Sequence, residues 1–499
     1  MTSLYRFPGG LKLESFKHLT SDQKIDSPFI PEYLIFPLEQ QIGTASIPVV
    51  EIGEQVLKGQ RIAKSGSYVS SNIHASSSGI IDDIGQYCSK ESGLLTRCIV
   101  VKTDGYDRWF EKMPVLNYLM ATAEELEARI GEAGIIGMGG AGFPSQVKVI
   151  EAADEKVETL VINGVECEPY ISCDDHVIRE SAEEVIAGSK VLQKITAAKK
   201  VYLAVESDMP EAYTRLVSAV ENDPSALDFE VVKVPTIYPA GAEKQLIRTL
   251  TGKWVPAHGL PIQTGVLVLN VATTVAISRA VLLGESLISR VVTIAGTGVN
   301  TQNIEVLNGT KAGDLLEHCL KKTLSEQRIS FGGSMMGKRL KSTEVPILKK
   351  TNCVLLRPEV EEQTESSCIR CGDCVEVCPE QLQPQMLVAL AKCSEYESLK
   401  DYRLFNCIEC ACCDHVCPSH IPLVKNFQQA KYLINEQKAI AARAEISKAR
   451  YLARLRRLER EKNEKLESKQ KKSRQSLKKE SLQDEVLAAI QRAKSKRKK

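Results

Sequence analysis

Apolar residues in the first part of the chain recur at short, regular intervals among glycines. Val50, Val56 and Ile62 alternate with Gly53 and Gly59, so that one of these five residues stands at every third position. Short strands broken by glycine turns are typical of this pattern. The pattern predicts a small β-barrel or sandwich near the N-terminus.

The spacing of apolar residues becomes helical after Thr122. Leu126 and Ile130 lie four positions apart, and Glu125 is placed to complete a capping box with Thr122. An apolar strand is predicted next, at 157–164. The alternation of helices and strands in this part of the chain favours an α/β domain.

The end of the chain has a third pattern and a different charge. Leu452, Leu455 and Leu458 suit a helix, and residues 431–499 contain no glycine or proline. This segment carries a net charge of +14, against −12 for the rest of the chain. The composition favours a solvated extension, helical or partly disordered. Attraction to anionic lipid or to an acidic partner is the alternative, and nucleic acid is not expected because no aromatic residues are interleaved with the charges.

The length of 499 residues predicts several domains of about 100 to 200 residues each. The first residues lack a basic patch followed by an apolar core, so we expect no secretory signal, and the sixteen cysteines should be reduced or bound to metal. Polar residues interrupt the most apolar window, 265–284, so we expect no membrane span.

Eight of the cysteines form two copies of the spacing C-x2-C-x2-C-x3-C, each followed by proline. Three thiolates of each tight turn can bind three corners of one cuboidal cluster, while the fourth, turned away by the proline, reaches the other cluster. The predicted ligands of one [4Fe-4S] cluster are Cys368, Cys371, Cys374 and Cys417. The predicted ligands of the second are Cys407, Cys410, Cys413 and Cys378. Because such clusters carry one electron each, the chain is expected to conduct electrons.

Structural zinc is the alternative for these cysteines. Zinc sites usually pair two C-x2-C turns across a loop of about 12 to 20 residues, which differs from the spacing here. Cys412 competes in principle as a ligand, but only its neighbour Cys413 keeps the two-residue interval. The other cysteines show no ligand spacing and are expected to be small buried apolar side chains: Cys88, Cys98, Cys167, Cys173, Cys319, Cys353 and Cys393.

The stretch GIIGMGGAGFP, at 134–144, contains the dinucleotide-binding spacing G-x-G-x-x-G at Gly137, Gly139 and Gly142. That fingerprint requires a strand before the loop and a helix after it. Here a predicted helix precedes the loop and the first strand comes later, so a Rossmann site is not expected. Glycines between two helices would still let backbone N–H groups approach a flat or phosphorylated ligand, and a flexible connector is the alternative.

Four stretches occur in the order found in the flavin- and NADH-binding subunit of respiratory complex I. They are GMGGAGFPSQVK, NGVECEPYISCDDH, IYPAGAEKQLI and LVLNVATTVAI. The N-terminal glycine repeat resembles a biotinyl- or lipoyl-type hybrid barrel with its two halves in swapped order. With these features and two complete ferredoxin motifs, the chain resembles the C subunits of Rnf/Rsx electron-transport complexes, over about residues 7–425.

The resemblance implies that FMN lies beside the glycine loop with NADH over it. The implied contacts are Gly137, Gly139, Gly140 and Gly142 around FMN, Phe143 on the adenine side, Lys148 near the phosphates, Asn163 and Asn270 on the flavin, Glu168 and Glu243 near the nicotinamide, and Glu166 and Gly241 in the same segments. Val165 stands where complex I has an aspartate, so one flavin contact is absent or replaced. No side chain is expected to act as an acid or base, because the cofactor carries the chemistry.

The resemblance also implies an α/β multidomain fold. The expected domains are an N-terminal hybrid barrel at 1–115, an FMN- and NADH-binding α/β domain at 116–255, a β-grasp module at 256–312, a helical connector at 313–360, a ferredoxin-like helical domain with two [4Fe-4S] clusters at 361–425, and a basic helical or disordered tail at 426–499.

The implied function is electron exchange between NADH, FMN, two [4Fe-4S] clusters and a partner iron–sulfur subunit, with integral membrane subunits coupling the flow to ion translocation. NADH yields two electrons together and each cluster accepts one, so a flavin must stand between them. The implied location is peripheral, on the cytoplasmic face of a bacterial inner membrane. The alternatives are a cluster-bearing docking subunit with a degenerate flavin site and an electron donor to a redox-sensing transcription factor.

Overall fold

The computed structural model describes residues 4–256, 259–320, 327–358 and 363–496. Residues 1–428 form one compact unit, and a second unit begins at residue 429. The strands are β1 Tyr33–Pro37, β2 Ile47–Pro48, β3 Gln55–Val56, β4 Arg61–Lys64, β5 Ile73–His74, β6 Gly79–Cys88, β7 Leu95–Thr103, β8 Thr159–Gly164, β9 Lys200–Glu206, β10 Phe229–Val234, β11 Val266–Asn270, β12 Ser289–Gly296, β13 Gln302–Leu307, β14 Gln327–Phe331, β15 Lys338–Arg339 and β16 Cys353–Pro358. The α-helices are α1 Ala123–Glu132, α2 Ser145–Asp154, α3 Cys173–Thr196, α4 Pro210–Glu221, α5 Glu243–Thr251, α6 Val271–Ser278, α7 Ala312–Cys319, α8 Asp373–Glu376, α9 Pro384–Lys392, α10 Tyr396–Asp401, α11 Cys412–His415 and α12 Leu423–Lys496.

The N-terminal strands form two antiparallel sheets around a shared apolar core. One sheet has the order β1-β7-β6-β3 and the other β2-β4-β5. Phe36, Ile62, Ile81 and Ile99 are fully buried in that core. The predicted small β-barrel or sandwich is therefore confirmed.

The next sheet has four parallel strands in the order β10-β9-β8-β11. Its first helix, α1, begins with the predicted capping box: the Thr122 N–H donates to the Glu125 carboxylate at 2.8 Å, and the Glu125 N–H donates to Thr122 Oγ1 at 3.3 Å. Leu126 and Ile130 are buried, as predicted from their spacing. Helix α2 follows the glycine loop, so the loop joins two helices.

The predicted end of this domain at residue 255 is wrong. Strand β11 pairs in parallel with β8 over its whole length, up to the pair Asn270 and Asn163. Val266 and Leu267 of β11 are buried, as expected for a strand of a parallel sheet that is covered on both faces. Residues 266–278 therefore belong with the α/β domain.

A mixed sheet follows, in the order β13-β12-β16-β14-β15, with α7 packed on it. The predicted helical connector at 313–360 is wrong for the described residues, where α7 is followed by three strands of this sheet. Strand β16 pairs in parallel with β12 on one side and antiparallel with β14 on the other, and its Val354 and Leu356 are buried. This sheet thus extends well beyond residue 312, the predicted end of a β-grasp module.

The cysteine-rich segment contains the short helices α8 to α11 and leads into α12. The described part of the second unit is helical throughout, and from 435 to 495 nearly every side chain is exposed. The helical form of the predicted tail therefore holds for these residues. Among the described helices, none combines the length and apolar character needed to cross a membrane.

Candidate functional site

The glycine loop between α1 and α2 is closed at its base and open at its tip. The Gly137 N–H donates to the Phe143 carbonyl at 2.7 Å, and the Gly142 N–H donates to the Gly137 carbonyl at 3.1 Å. Gly139 and Gly140 are exposed at the tip, and their amides donate no hydrogen bond within the described residues. A Cβ on Gly140 would have nothing within 4 Å. Free backbone donors beside open space suit a phosphate or a flavin.

Met138, which lies between Gly137 and Gly139, connects the loop to the protein interior. Its N–H donates to Thr273 Oγ1 at 2.9 Å, and its carbonyl accepts from Arg290 Nη1 at 3.2 Å. The buried Arg290 also donates to the Lys349 carbonyl at 3.0 Å. Sequence reasoning missed both Thr273 and Arg290, since neither lies in the glycine motif. The loop is thereby fixed from α6 and from the mixed sheet that contains β12.

Two asparagines meet at the carboxyl edge of the parallel sheet, because β8 and β11 end side by side. Asn163 Nδ2 donates to the Gly241 carbonyl at 2.9 Å. Asn270 Nδ2 donates to Asp174 Oδ2 at 2.6 Å, while its Oδ1 caps α6 by accepting from Ala272 N–H at 2.9 Å. Asn270 also lies beside the glycine tip, since a Cβ on Gly139 would stand 3.4 Å from its Cβ. The expected flavin contacts thus come together at one edge.

Lys148 and Glu243 form an ion pair near this edge. Their side chains are 2.7 Å apart, and Lys148 Nζ also donates to the Val268 carbonyl at 2.7 Å. Both side chains are partly exposed, with 28% and 34% of their surface accessible. The pair joins α2 to the start of α5 and leaves charge accessible to a ligand.

Glu166 is buried and bound within the chain. Its carboxylate accepts from the N–H groups of Asp174 at 3.0 Å and Asp175 at 3.3 Å, at the start of α3, and from Cys173 Sγ at 3.3 Å. Burial, and after it the charge of Asp174, raises the pKa of Glu166 to about 8. Burial raises the pKa of Asp174 to about 6, although Arg290 and Asn270 oppose this. The principal contact of Glu166 is therefore with a helix N-terminus.

Glu166, Cys173 and Asp174 bring their ligand atoms within 4.8 Å of one another, as a metal site would. Two buried cations already face this group. Lys17 Nζ donates to the Glu166 carbonyl at 2.6 Å, and the charge of Arg290 acts on Asp174. A metal ion would have to compete with these charges, so we assign no metal here.

Glu168 contacts a second glycine-rich loop, GGSMMG at 332–337. Its Oε1 accepts from the N–H groups of Met335 at 2.9 Å and Met336 at 2.7 Å. The approach is close, because a Cβ on Gly333 would lie 2.7 Å from the Glu168 carboxyl carbon. Burial raises the pKa of Glu168. Sequence reasoning missed this loop, although its glycine run was a signal available in the sequence.

The eight motif cysteines line two separate pockets. The outer pocket is lined by Cys368, Cys371, Cys374 and Cys417. The inner pocket is lined by Cys378, Cys407, Cys410 and Cys413, and also by Cys412. The fourth cysteine of each motif lies in the pocket of the other motif. Four thiols around a space of this kind suit the ligation of a [4Fe-4S] cluster.

The two pockets differ in exposure. Cys368 and Cys371 of the outer pocket are exposed, whereas Cys410 and Cys413 of the inner pocket are buried. Cys412 is buried as well and donates a hydrogen bond to the Cys410 sulfur, which lowers the pKa of Cys410. Cys412 is thus placed to support a ligand as a hydrogen-bond donor.

Two known families match the chain in the regions just described. Residues 130–279 match the family described as "Nuo51 FMN-binding domain", and residues 5–106 match the "RnfC Barrel sandwich hybrid domain". The first match includes the glycine loop and both asparagines. It ends near the close of α6, in agreement with the sheet rather than with the predicted boundary at 255.

Curated relatives match over most of the chain. The C subunit of the ion-translocating oxidoreductase complex of Rhodobacter capsulatus is 41% identical over 86% of this chain and 83% of the relative. The C subunit of the proton-translocating ferredoxin:NAD(+) oxidoreductase complex of Clostridium ljungdahlii is 40% identical over 88% and 96%. The chain belongs to the RnfC family. The family so identified is the one that the sequence motifs had indicated.

Members of this family differ in length. The C subunit of the ion-translocating oxidoreductase complex of Pseudomonas aeruginosa is 42% identical over 92% of this chain, but the chain spans 60% of that relative. All three relatives are named as C subunits of oxidoreductase complexes.

Proposed function

We propose that this chain passes electrons between NADH, FMN and two [4Fe-4S] clusters and on to a partner iron–sulfur subunit. The observation that carries the proposal is the presence, in one compact unit, of an open glycine loop at the edge of a parallel sheet and of two four-cysteine pockets. A two-electron donor and one-electron acceptors need a flavin between them, which supplies hydride acceptance and single-electron release when bound.

The chain's own residues would bind and orient the cofactors. The tip amides of Gly139 and Gly140 would hold FMN, with Gly137 and Gly142 closing the loop beneath it. Asn163 would fix the flavin from the sheet edge. Its hydrogen bond to Gly241 keeps its orientation fixed before a ligand arrives.

The nicotinamide and phosphate ends would meet charged and aromatic side chains. Lys148 and Glu243 form an ion pair that is partly exposed; Lys148 would contact a phosphate and Glu243 the nicotinamide. Phe143 would pack on the adenine side. Glu168 would line the same region while holding the 332–337 loop. Glu166 and Asn270 would support the site through α3 and α6.

The expected partners are an iron–sulfur subunit and integral membrane subunits that couple electron flow to ion translocation. Relatives named as subunits of ion-translocating complexes support this assembly. The contact with the membrane would be peripheral, on the cytoplasmic face of a bacterial inner membrane. Nucleic acid is not an expected partner.

Anaerobic purification followed by iron, sulfide and flavin analysis, and then NADH addition, tests the proposal. We expect bound FMN whose absorbance bleaches with NADH. Iron and sulfide without FMN would favour the docking subunit. That role is consistent with the buried Val165, which stands where complex I has an aspartate. Flavin that NADH fails to bleach would remove the dehydrogenase assignment.

A matched pair of variants locates the flavin. Gly140 and Gly105 both have positive φ, at +99° and +75°, and at both positions a Cβ would have no atom within 4 Å. Gly140→Leu should lose FMN because its side chain enters the open space beside the loop tip. Gly105→Leu should keep FMN, since it carries the same backbone strain away from the loop.

A further inference from the structure

The N-terminal strap, which we define as Phe7–Leu11, lies between the α/β domain and the first cysteine motif. The Leu11 N–H donates to the Tyr238 carbonyl at 2.8 Å, and the Tyr238 N–H donates to the Leu11 carbonyl at 2.9 Å. On its other side, the Gly10 N–H donates to the Val377 carbonyl at 2.9 Å. The strap therefore joins two parts of the protein that are far apart in sequence.

The contact is too close for a side chain on the strap glycines. A Cβ on Gly9 would lie 2.6 Å from the Val377 carbonyl oxygen and 2.8 Å from the carbonyl carbon of Cys378. A Cβ on Gly10 would lie 2.8 Å from the Tyr238 carbonyl oxygen. All of these neighbours are backbone atoms, which cannot move away cheaply. The two glycines thus allow a backbone-to-backbone approach.

Two side-chain contacts lie beside the strap. The buried Tyr238 donates its hydroxyl hydrogen to the Cys410 carbonyl at 2.7 Å. Gln245 Nε2 donates to Glu380 Oε1 at 2.6 Å. Tyr238 and Gln245 belong to the segment that also carries Gly241, the partner of Asn163 at the sheet edge.

The hydrogen bonds just described reach residues at the inner cysteine pocket. Cys378 and Cys410 line the inner pocket, and Val377 and Glu380 lie within two residues of Cys378. Within the described ranges, no hydrogen bond joins a cysteine of the outer pocket to the α/β domain. Among the described residues, hydrogen bonds therefore fasten the inner pocket, and not the outer one, to the domain that carries the glycine loop.

We propose that the N-terminal strap and Tyr238 form a latch that holds the inner cysteine pocket against the flavin site and so sets the rate of electron transfer between them. The proposal rests on the function proposed above. When the cofactors are bound, the two electrons of one hydride would pass singly from flavin to cluster, and the one proton that came with the hydride would go to water. Strap residues and Tyr238 act here as positioning residues, because electron transfer slows steeply as the separation grows.

The first test compares Gly9→Ala with Gly53→Ala in the full chain carrying its cofactors. Both glycines have positive φ, at +63° and +86°, but a Cβ on Gly53 has nothing within 4 Å. The two variants therefore share the backbone strain, and only Gly9→Ala adds the clash. We expect Gly9→Ala to lose hydrogen-exchange protection at the Gly10 and Leu11 amides. We also expect NADH to reduce the clusters of this variant at least about tenfold more slowly, because displacing one reacting group from another lowers the rate of reaction between them. The rate of flavin bleaching should be unchanged.

The second test is Tyr238→Phe, which removes one hydroxyl group and keeps the ring. The Cys410 carbonyl loses a donor, so the reduced, more negative form of the inner cluster is less stabilised. We expect the midpoint potential of the inner cluster to become more negative while that of the outer cluster stays the same. A general loss of structure would move both clusters, so a selective shift identifies a positioning role.

The outcomes separate the latch from the proposed function. Equal rates of cluster reduction in Gly9→Ala and Gly53→Ala, with strap protection lost only in the first, would overturn the latch. Unchanged protection in Gly9→Ala would overturn it as well. A wild-type chain whose flavin is not reduced by NADH would instead contradict the proposed function. The hydrogen-exchange comparison of Gly9→Ala with Gly53→Ala needs no NADH, so unchanged strap protection would still overturn the latch.

Discussion

The cysteine pockets and the glycine-loop edge prepare their ligands in different ways. In the pockets, four thiols converge on a common space, and the thiols themselves are the binding groups. At the loop edge, most of the polar side chains already have partners: Asn163 binds Gly241, Asn270 binds Asp174, and Lys148 pairs with Glu243. Within the part of the chain that the structure describes, the groups at the edge that have no partner in the protein include the backbone amides at the loop tip.

Because their binding groups differ, the two sites should respond differently to substitution. Loss of one thiolate removes a covalent ligand, which no neighbour replaces unless another cysteine is in reach. Loss of one hydrogen-bonding side chain at the loop edge leaves the other contacts and weakens the fold at the same time. We therefore expect all-or-none effects in the pockets and graded effects at the edge.

The largest effect should come from removing one cysteine in each pocket. Cys371→Ser and Cys410→Ser should each lose about half of the iron, and the double variant nearly all of it, because each residue serves a different cluster. Iron and sulfide analysis measures this. Retention of full iron by either single variant would contradict the assignment of ligands to pockets.

A smaller effect is expected from Asn270→Ala at the loop edge. The variant loses the cap of α6, which costs about 1 kcal/mol, and leaves the partly buried Asp174 without its amide donor. We expect weaker FMN binding together with a lower free energy of unfolding, measured by flavin titration and by denaturant unfolding. Thr122→Ala is the matched control, because it removes the cap of α1 without touching the edge. Equal FMN affinity in the two variants would remove Asn270 from the site.

Glu166, the buried acidic residue near the carboxyl edge of the parallel sheet, should make the stability of the protein depend on pH. The pKa of Glu166 is raised from 4.5 to about 8, so between these values the folded chain keeps a proton that the unfolded chain has released. The free energy of unfolding should therefore fall as the pH rises through this window, by at most ~1.4 kcal/mol per pH unit. Glu166→Gln should flatten that slope, measured from melting temperatures between pH 5 and 8. Glu221 is exposed, so Glu221→Gln is the control. An unchanged slope in Glu166→Gln would contradict the conclusion that burial raises the pKa of Glu166.

The smallest effect is expected from Cys412→Ser. Cys412 lines the inner pocket but lies one residue from the predicted ligand Cys413. We expect Cys412→Ser to keep its full iron content, with only a shift in the potential of the inner cluster from the altered hydrogen bond to Cys410. Cys413→Ser should lose that cluster. The reverse pattern would exchange the two residues in the ligand set.

Some elements were predictable because their signals are local. The capping box at Thr122 and the buried pair Leu126 and Ile130 follow from residues within one or two helical turns. The domain boundaries at 255 and 312 were not predictable in this way. Strands β11 and β16 join their sheets beside strands distant in sequence, and their apolar runs do not state which sheet they complete.

Short stretches of its sequence predict the kind of chemistry that this protein supports. Cysteine spacing within eleven residues predicts a cluster-binding motif, and the glycine spacing after a helix excludes a Rossmann turn. These signals are short because a tight turn is made by neighbouring residues.

Which cysteine pocket meets the α/β domain depends instead on the tertiary structure. Both motifs have the same spacing, yet Tyr238 reaches Cys410 across 172 positions of the chain, and Glu168 reaches Met335 across 167. Contacts of this kind depend on how separately folded segments pack. That packing follows from burial and shape over the whole unit, which no single short motif records.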